Sequence, residues 1–483
     1  MPNCSTLFIG APASGQGKTS IVAGLARLHA RQGRRVKIFK CGPDFLDPMI
    51  HAFASGSPCE NLDLWMCGED DAAMRLARAA EEADLILVEG VMGLFDGTPS
   101  GADIARRFGL PVLVVIDASA MAGTFGAIAH GLAHYQPDLP FHGVLANRVG
   151  SEVHAAMLQT GLRDDMRWCG AVPRDPDATL PERHLGLHRT EEIADLATRL
   201  DRMADHLART PLAVLPEPTF FNTAAIPPLQ PLLAGRRIAI ARDAAFAFIY
   251  PANLECLTDL GATLEFFSPL AGDPLPDCDA LWLPGGYPEL HAEALSLRTD
   301  LHARLHAHVN FGKPLLAECG GMMALFETLI DTQGQRHAMA GLLPGSVAMQ
   351  QRLAALGPQQ ADLPDGPLRG HTFHYSKADT PLPPLLHARR HRGDCMEDGG
   401  EAIYRRQRGT VPALSRRPNQ DAGSARQAAS PANVARSVRR SIPRLWPDER
   451  AKLHQVPAPQ NAGETGTTCA SAMLAKRRLP PQR

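Results

Sequence analysis

Apolar residues in the first 200 positions fall into short continuous runs separated by stretches of helical periodicity. The runs are Thr6–Ile9, ending at Gly10, then Arg35–Phe39, Leu85–Val88, ending at Glu89, Pro111–Asp117 and Phe141–Asn147. Each is β-branched or Leu-rich throughout, the pattern of parallel strands covered on both faces. Between them apolar positions recur at helical spacing, as at Ile21, Leu25 and Leu28, and again within Glu69–Ala83 and Ala122–His134. This alternation predicts a doubly wound parallel α/β sheet, with ligands outside the carboxyl ends of the strands. Six prolines between His206 and Arg237 then interrupt the pattern and read as a linker. A second α/β pattern follows: Arg237–Ala241, a helical Asn253–Leu260, Ala280–Leu283, a helix through about Asn310 and the strand Lys313–Ala317. The expected division is 1–205, a linker over 206–235, a second domain over 236–404 and an atypical tail over 405–483.

Charge singles out that tail. The chain of 483 residues has a net charge of −2, which by itself implies no polyanionic partner. From Arg405 onward, however, sixteen Lys and Arg face four Asp and Glu, leaving 33 and 47 for the rest. Trp446 is the only aromatic residue in that stretch, and its composition predicts disorder. Ten cysteines occur with no C-x-x-C pair, which reads as reduced thiols in a cytoplasmic protein. No apolar run approaches 18 residues, so no membrane span is expected.

Two stretches carry candidate chemistry. In Gly10-Ala-Pro-Ala-Ser-Gly15-Gln-Gly17-Lys18-Thr19-Ser20 a strand gives way to a glycine-rich turn and a helix N-terminus, the arrangement of a phosphate cradle. Gly10, Gly15 and Gly17 let backbone N–H groups turn inward, Lys18 reaches the outer phosphates and Thr19 offers a hydroxyl to Mg²⁺. The usual pattern wants glycine at position 12, where this chain has Pro12, so Gly10 and Gly15 take over the turn. Asp44, Asp47, Glu89 and Asp96 lie where strands two and three end, able to hold Mg²⁺ through oxygen ligands. Loop aspartates commonly cap turns, but a carboxylate closing an apolar strand beside a nucleotide site is costly unless used, which favours Glu89. Asn147 ends a strand and is placed either for a purine edge or for a turn.

The second stretch is Ala317-Glu318-Cys319-Gly320-Gly321. A cysteine between a buried strand and a helix is held at an exposed apex, and the helix N-terminus favours its thiolate. Cys319 is the candidate nucleophile; the other nine cysteines read as structural.

Taken in order, these and further motifs resemble the cobyrinate or hydrogenobyrinate a,c-diamide synthases, glutamine-dependent amidotransferases of cobalamin biosynthesis. The further motifs are Lys40-Cys-Gly-Pro-Asp44-Phe-Leu-Asp47-Pro48, Glu89-Gly-Val-Met-Gly-Leu-Phe-Asp96-Gly97, Asp117-Ala-Ser-Ala-Met, and Leu180–Leu187. Ala245–Glu255, Leu283-Pro-Gly-Gly-Tyr-Pro-Glu289 and Arg369–Ser376 complete the set, which spans the phosphate loop to about Tyr404. The resemblance implies a dethiobiotin-synthetase-like phosphate-loop domain binding ATP, Mg²⁺ and a corrinoid, followed by a class I glutamine amidotransferase-like domain. It implies ATP contacts at Gly10, Gly15, Gly17, Lys18, Thr19, Ser20 and Asn147, and Mg²⁺ at Thr19, Asp44 and Glu89. Asp44, Glu89 and Asp96 match catalytic positions, Phe45 and Leu46 match substrate positions, and the Gly285 and Gly286 amides match the glutamine oxyanion site. Small molecules are the implied partners, with no membrane and no nucleic acid; a homodimer is left open.

The chain departs from the family at its end. The family's activating His follows the Gly400–Tyr404 match in an aromatic strand of Ser-Tyr-x-His type, and nothing like it follows Tyr404 here. A reading-frame shift near Arg406–Gly409 accounts for this, with a glutaminase weakened by the missing base as its consequence; a genuine anion-binding tail is the rival. His371 and His374 lie in a motif that reads as structural. Two other functions compete: another corrinoid amidotransferase such as cobyric acid synthase, and a partitioning-type ATPase. The latter carries a signature lysine near Ala13 and no amidotransferase domain.

Overall fold

The computed structural model describes residues 1–183, 186–187, 190–222, 229–363, 366–390, 402–404 and 469–473. They belong to two compact units: Met1–Pro227 with Tyr250–Ala252, and Pro228–Ile249 with the chain from Asn253 onward.

The first unit is built on parallel strands β1 (Asn3–Gly10), β2 (Val36–Cys41), β3 (Cys59–Leu62), β4 (Leu85–Glu89), β5 (Val112–Asp117), β6 (Phe141–Val149) and β7 (Trp168–Pro173). Helices α1 (Lys18–Arg31), α2 (Leu46–Ser55), α3 (Glu69–Glu82), α4 (Gly101–Phe108), α5 (Thr124–His134), α6 (Glu152–Thr160) and α7 (Leu196–Leu207) connect or follow them. Sheet order is β3-β2-β4-β1-β5-β6-β7. The chain leaves β1 toward one edge and later, from β5, toward the other, so the ligand crevice of such a sheet falls at the end of β1. Alternation sorts β1 between two cores: Leu7 and Ile9 pack with Ile21, Leu25 and Leu200 on one face. Phe8 packs with Leu76, Val114 and Phe125 on the other.

The proline-rich stretch is more ordered than a linker. Within it a 3-10 turn at Pro211–Ala213 precedes strand β10 (Pro218–Phe220), after the short hairpin β8 (Glu182–Arg183) and β9 (Gly186–Leu187). β5 covers β1 only from Phe8 to Gly10; β10 pairs antiparallel with the remaining edge, Asn3 to Ser5. Pro218 is tolerated because it occupies an edge strand. Leu207, Leu212 and Phe221 are all buried. The division between units therefore falls at Pro227, inside the proline-rich stretch rather than before it.

The second unit opens with β11 (Arg237–Ala241), α8 (Pro251–Asp259), β12 (Thr263–Phe267), β13 (Ala280–Leu283), α9 (Ala292–Ser296), α10 (Thr299–Asn310), β14 (Leu315–Ala317) and the single turn α11 (Gly320–Met323). Its parallel sheet runs β12-β11-β13-β14. Mainly antiparallel strands follow: β15 (Phe326–Ile330), β16 (Arg336–Ala338), β17 (Leu343–Met349), β18 (Ala355–Leu363), β19 (Gly366–His374) and β20 (Ser376–Asp379). Beyond these are β21 (Pro384–His387), β22 (Arg389–Arg390), β23 (Ala402–Tyr404) and β24 (Cys469–Met473). β24 pairs parallel with β23; the other residues of the basic stretch, 405–468 and 474–483, lie outside the described ones.

One buried histidine reports on the α1 side of the first sheet. His29 is 2% exposed; its Nε2 lies 3.1 Å from the Leu212 carbonyl oxygen, and Arg34 donates to its Nδ1. That pairing needs the neutral ring, and burial followed by the Arg34 charge pushes His29 down to about 4. A histidine neutral in the fold but titrating near 6.5 when unfolded makes the unfolded state bind the extra proton between those values. Stability from this group is therefore present above about pH 6.5 and lost as pH falls toward 4. We expect His29→Gln to be less stable than the parent at pH 7.5. By pH 4.5 the gap should shrink by about 2–3 kcal/mol in urea unfolding of the first unit. Parallel pH profiles would show that His29 is not the titrating group.

Candidate functional site

The end of β1 turns into the phosphate loop without a break. Gly15 and Gly17 adopt φ of 76° and 91°, and a Cβ on Gly17 would meet Asn147 Nδ2 at 2.3 Å. Position 17 thus requires glycine both for its left-handed backbone and for close approach. Asn147 Nδ2 donates to the Gln16 carbonyl at 2.9 Å, and Gln16 Oε1 accepts from the Asp117 N–H at 2.9 Å. Arg148 bridges the Gly15 carbonyl and the Asp117 carboxylate. Asn147 therefore buttresses the loop from the ends of β5 and β6. Lys18 is 8% exposed, and its Nζ donates to the carbonyls of Ala13 and Met92 at 3.3 and 2.6 Å. Burial lowers its pKa against the opposing pull of Glu89. A buried ammonium with carbonyl partners only is poised to gain from an anionic ligand.

Beside the loop lies an ionic cluster. Strand register places Lys40 of β2 opposite Glu89 of β4, where Glu89 is 1% exposed. Lys40 Nζ donates to Glu89 Oε1 at 2.7 Å and to Asp47 Oδ2 at 2.6 Å. Thr19 Oγ1 is 2.9 Å from Glu89 Oε1 and 3.3 Å from Asp47 Oδ2. His51, fully buried on α2, pairs through Nε2 with Glu89 Oε2, while its Nδ1 is enclosed without a hydrogen-bond partner. Burial alone would raise the Glu89 carboxyl; Lys40 and His51 outweigh it and hold Glu89 below the usual carboxylate range. Burial likewise works against Lys40, but Asp47 and Glu89 prevail and raise its pKa well above the ordinary value.

The predicted acidic residues separate on inspection. Glu89 sits at the centre of the cluster. Asp44 caps the start of α2, accepting the Leu46 N–H at 2.8 Å. Burial, then the Asp47 carboxylate, pushes Asp44 up to about 7. Asp47, in the first turn of α2, has the carboxylate that reaches Thr19. A metal set of Thr19, Asp47 and Glu89 thus fits the geometry better than one built on Asp44. Asp96 accepts the Gly93 N–H at 2.8 Å and adds favourable charge to Lys18. Phe45 stacks on Tyr250, centroids 4.2 Å apart, and Leu46 is buried at the start of α2. Gly10 closes β1 against Leu94, whose Cδ1 lies 2.9 Å from the position of an added Cβ, and Ser20 lies within the first turn of α1. Lys40 and His51 were not singled out in sequence. Lys40 is one of two lysines in the strand β2, which reads Val-Lys-Ile-Phe-Lys-Cys, and His51 at helical spacing looks like an ordinary core residue.

In the second unit Cys319 has φ 45° and ψ −114°, a conformation that costs about 1–3 kcal/mol for a residue with a side chain. The turn is over-determined by packing: a Cβ on Gly321 would sit 2.1 Å from the Leu283 carbonyl oxygen. One on Gly320 would sit 2.6 Å from Pro288 Cδ and 2.8 Å from the Gly286 carbonyl oxygen. The position of a Cβ on Gly285 lies 3.3 Å from Cys319 Cβ, so the Gly285–Gly286 turn packs against the elbow. Phe248 donates its N–H to the Gly285 carbonyl at 2.9 Å and anchors that turn. Glu318 accepts from Trp282 Nε1 at 2.9 Å, and burial pushes its carboxyl up. The helix after Cys319 is a single turn, so its dipole lends the thiol less than a long helix would. His371, on β19, is held down at about 4 by burial, and His374 Nδ1 lies 3.0 Å from the Ser376 carbonyl.

Comparisons with known proteins agree with these two centres. A family profile described as a CobQ/CobB/MinD/ParA nucleotide binding domain matches residues 7–187. A second, described as a CobB/CobQ-like glutamine amidotransferase domain, matches 237–413. The hydrogenobyrinate a,c-diamide synthase of Stutzerimonas stutzeri is 59% identical over 405 residues, covering 83% of this chain and 93% of that protein. The protein of that name from Pseudomonas aeruginosa is 58% identical, covering 83% and 92%. The cobyrinate a,c-diamide synthase of Herminiimonas arsenicoxydans is 49% identical, covering 83% and 90%. A phosphate loop with its carboxylate cluster in one unit and a strained cysteine elbow in the other are thus two halves of one enzyme type, and the chain belongs to the cobyrinate/hydrogenobyrinate a,c-diamide synthase family of glutamine amidotransferases.

Proposed function

We propose that the protein amidates the a and c acetate carboxylates of cobyrinate or hydrogenobyrinate, using ATP and nitrogen from glutamine or ammonia. The observation that carries this reading is the pairing, in one chain, of the Thr19–Glu89–Asp47–Lys40 cluster with the Cys319 elbow. A carboxylate is a poor acyl donor until activated. Its oxygen attacks the γ-phosphorus of ATP, the bond to the β-phosphate oxygen breaks and ADP leaves, giving an acyl phosphate. Ammonia then adds to the acyl carbon, loses a proton, and the carbon–oxygen bond to phosphate breaks, leaving the amide. Lys18 gives up its carbonyl partners for the β- and γ-phosphates, and the amides of the Gly15–Gly17 turn face the same groups.

The donor set also fits Mg²⁺: one hydroxyl and two carboxylates converge, with the Lys40 ammonium already bonded to both acids. Thr19, Asp47 and Glu89 are the residues that would hold the ion, which supplies charge neutralisation at the phosphates. Asp44 and Asp96 flank the cluster, Phe45 and Leu46 present the apolar side toward the corrinoid, and Asn147 keeps the loop in register. In the second unit the Cys319 thiolate attacks the glutamine amide carbon, with the Gly285 and Gly286 amides stabilising the oxyanion. The carbon–nitrogen bond breaks, the nitrogen takes a proton from solvent and leaves as ammonia, and water then hydrolyses the glutamyl thioester to glutamate and frees the thiol. The family's Ser-Tyr-x-His motif has no counterpart after Tyr404, which fits a shifted reading frame; His371 on β19 is half-buried, and burial holds it down at about 4, which makes it a weak base. Glutamine cleavage is therefore the weakened half. The cytoplasm suits a chain whose described cysteines form no disulfide.

Two measurements test this. With ATP, Mg²⁺ and cobyrinate or hydrogenobyrinate, diamide formation from ammonia should exceed that from glutamine by about tenfold or more. Cys319→Ser should remove the remaining glutamine-dependent rate and spare the ammonia-dependent one. Equal rates from both nitrogen sources would show that another base serves Cys319, and no product from either would refute the assignment. In the first unit, Glu89→Gln should lower the ammonia-dependent rate by about 100-fold or more. His51→Ala should weaken ATP–Mg²⁺ binding, with His51→Gln recovering part of it through a donor to the same oxygen. If His51→Ala binds ATP–Mg²⁺ like the parent, the histidine does not position Glu89.

A further inference from the structure

The carboxyl ends of the first sheet hold the nucleotide site; the opposite end carries a different group of side chains. Helix α5 runs back from the end of β5, and its last turn lies near the start of β6 and the loop before β7. There His130 and His134, four residues apart on one helix face, meet Asp165, and their donor atoms all lie within 4.8 Å of one another. His134 Nε2 is 3.6 Å from Asp165 Oδ2. That is long for a hydrogen bond but close to the ~3.4 Å that separates two ligands on a tetrahedral metal with bonds of ~2.1 Å. His134 Nδ1 is 3.0 Å from the His130 carbonyl oxygen. Donation of Nδ1–H there leaves the Nε2 lone pair toward Asp165, the arrangement by which outer partners orient metal-binding imidazoles.

Two further polar atoms lack partners among the described residues. His130 Nδ1 is enclosed and makes no hydrogen bond, and so is Gln136 Oε1. Such atoms are costly unless satisfied. Turning one His130 nitrogen onto a cation satisfies the first, and a water on that cation can donate to Gln136. Gln136, His134 and Asp165 line one open cavity of about 370 Å³, which gives that water room. Of the charged neighbours, Asp138 lines the same cavity, and Arg163, whose Nε is 3.7 Å from Asp165 Oδ1 on a side chain 69% exposed, yields to a cation at little cost.

We propose that His130, His134 and Asp165 form a site for one borderline divalent cation of the Zn²⁺, Ni²⁺ and Co²⁺ class, separate from the nucleotide site. Two imidazoles and one carboxylate select such ions over Mg²⁺, which prefers all-oxygen sites. The bound ion ties the end of α5 to the turn before β7, and water completes its coordination.

The test is titration of the full chain with Co²⁺ in excess Mg²⁺, followed by calorimetry and visible absorption. One saturable equivalent, nitrogen- and oxygen-type absorption and a melting temperature rising with Co²⁺ are expected. His130→Gln/His134→Gln and, separately, Asp165→Asn should each weaken binding about tenfold or more. All three residues are partly or fully exposed, so both variants should keep the fold, and ammonia-dependent turnover with Mg²⁺ should stay at the parental rate. Absence of a saturable site overturns the proposal. So does unchanged affinity in the double histidine variant, or a near-ultraviolet thiolate-to-cobalt band placing the ion on cysteine.

Discussion

The first unit depends on one carboxylate that has been taken out of water. Glu89 closes a strand flanked by β1 and β2 and is 1% exposed. An ion in such a place costs several kcal/mol unless its neighbours compensate. Compensation comes from three directions: Lys40 across the strand pair, Thr19 at the start of α1 and His51 from α2. Those contacts fasten the phosphate loop and the start of α2 to the sheet at one point. Removing any partner leaves a buried charge or an orphaned donor, so the cluster holds loop, helix and strand in mutual register as a unit. It also sets a charge balance. Lys40 serves Asp47 and Glu89 together, while Lys18 is given carbonyls only, so the cluster can accept a further cation and the loop an anion.

The second unit solves a different problem, presenting a thiol at a sharp turn. Cys319 adopts a left-handed φ although its side chain disfavours it. The strain is held because the backbone around it has no slack: Gly320 and Gly321 approach Pro288 and the Leu283 carbonyl too closely for any side chain. Preorganisation of this kind fixes the Cys319 thiol beside the Gly285–Gly286 turn. Buried charge in one unit and backbone strain in the other are each tolerable only at sites where ligand binding or chemistry uses them.

Much of this was legible in the chain itself. Strands β1, β2, β4, β5 and β6, the phosphate loop and the Cys319 elbow all follow from short apolar runs and the turns that close them, whereas β3 and β7, reading Cys-Glu-Asn-Leu and Trp-Cys-Gly-Ala-Val-Pro, form no such run. What escaped notice shares one physical reason: it depends on pairing across elements. Lys40 reads as an anomaly in a strand until register sets it against Glu89. His51 reads as core until α2 is docked. Asp44 and Asp47 are equivalent in sequence, and only the start of α2 at Leu46 gives one the capping role and turns the other toward Thr19. The prolines of 211–218 suggested a linker, because nothing local reveals that β5 leaves the first residues of β1 uncovered.

The end of the chain shows how a strand position and a catalytic group can come apart. The Ser-Tyr-x-His strand that the family resemblance implies would follow Tyr404, and no such motif occurs there. Here β23 is followed in its small sheet by β24, five residues reading Cys-Ala-Ser-Ala-Met. Backbone pairing asks only for extended, uninterrupted residues, and small side chains with one methionine satisfy it. Catalysis asks for an imidazole at one place, and that segment has none. Acyl-phosphate chemistry makes no such demand on the second unit, since the acyl carbon accepts ammonia from any source. The Glu89 cluster and the phosphate loop lie wholly in the first unit, so nothing in that cluster depends on the sequence after Tyr404.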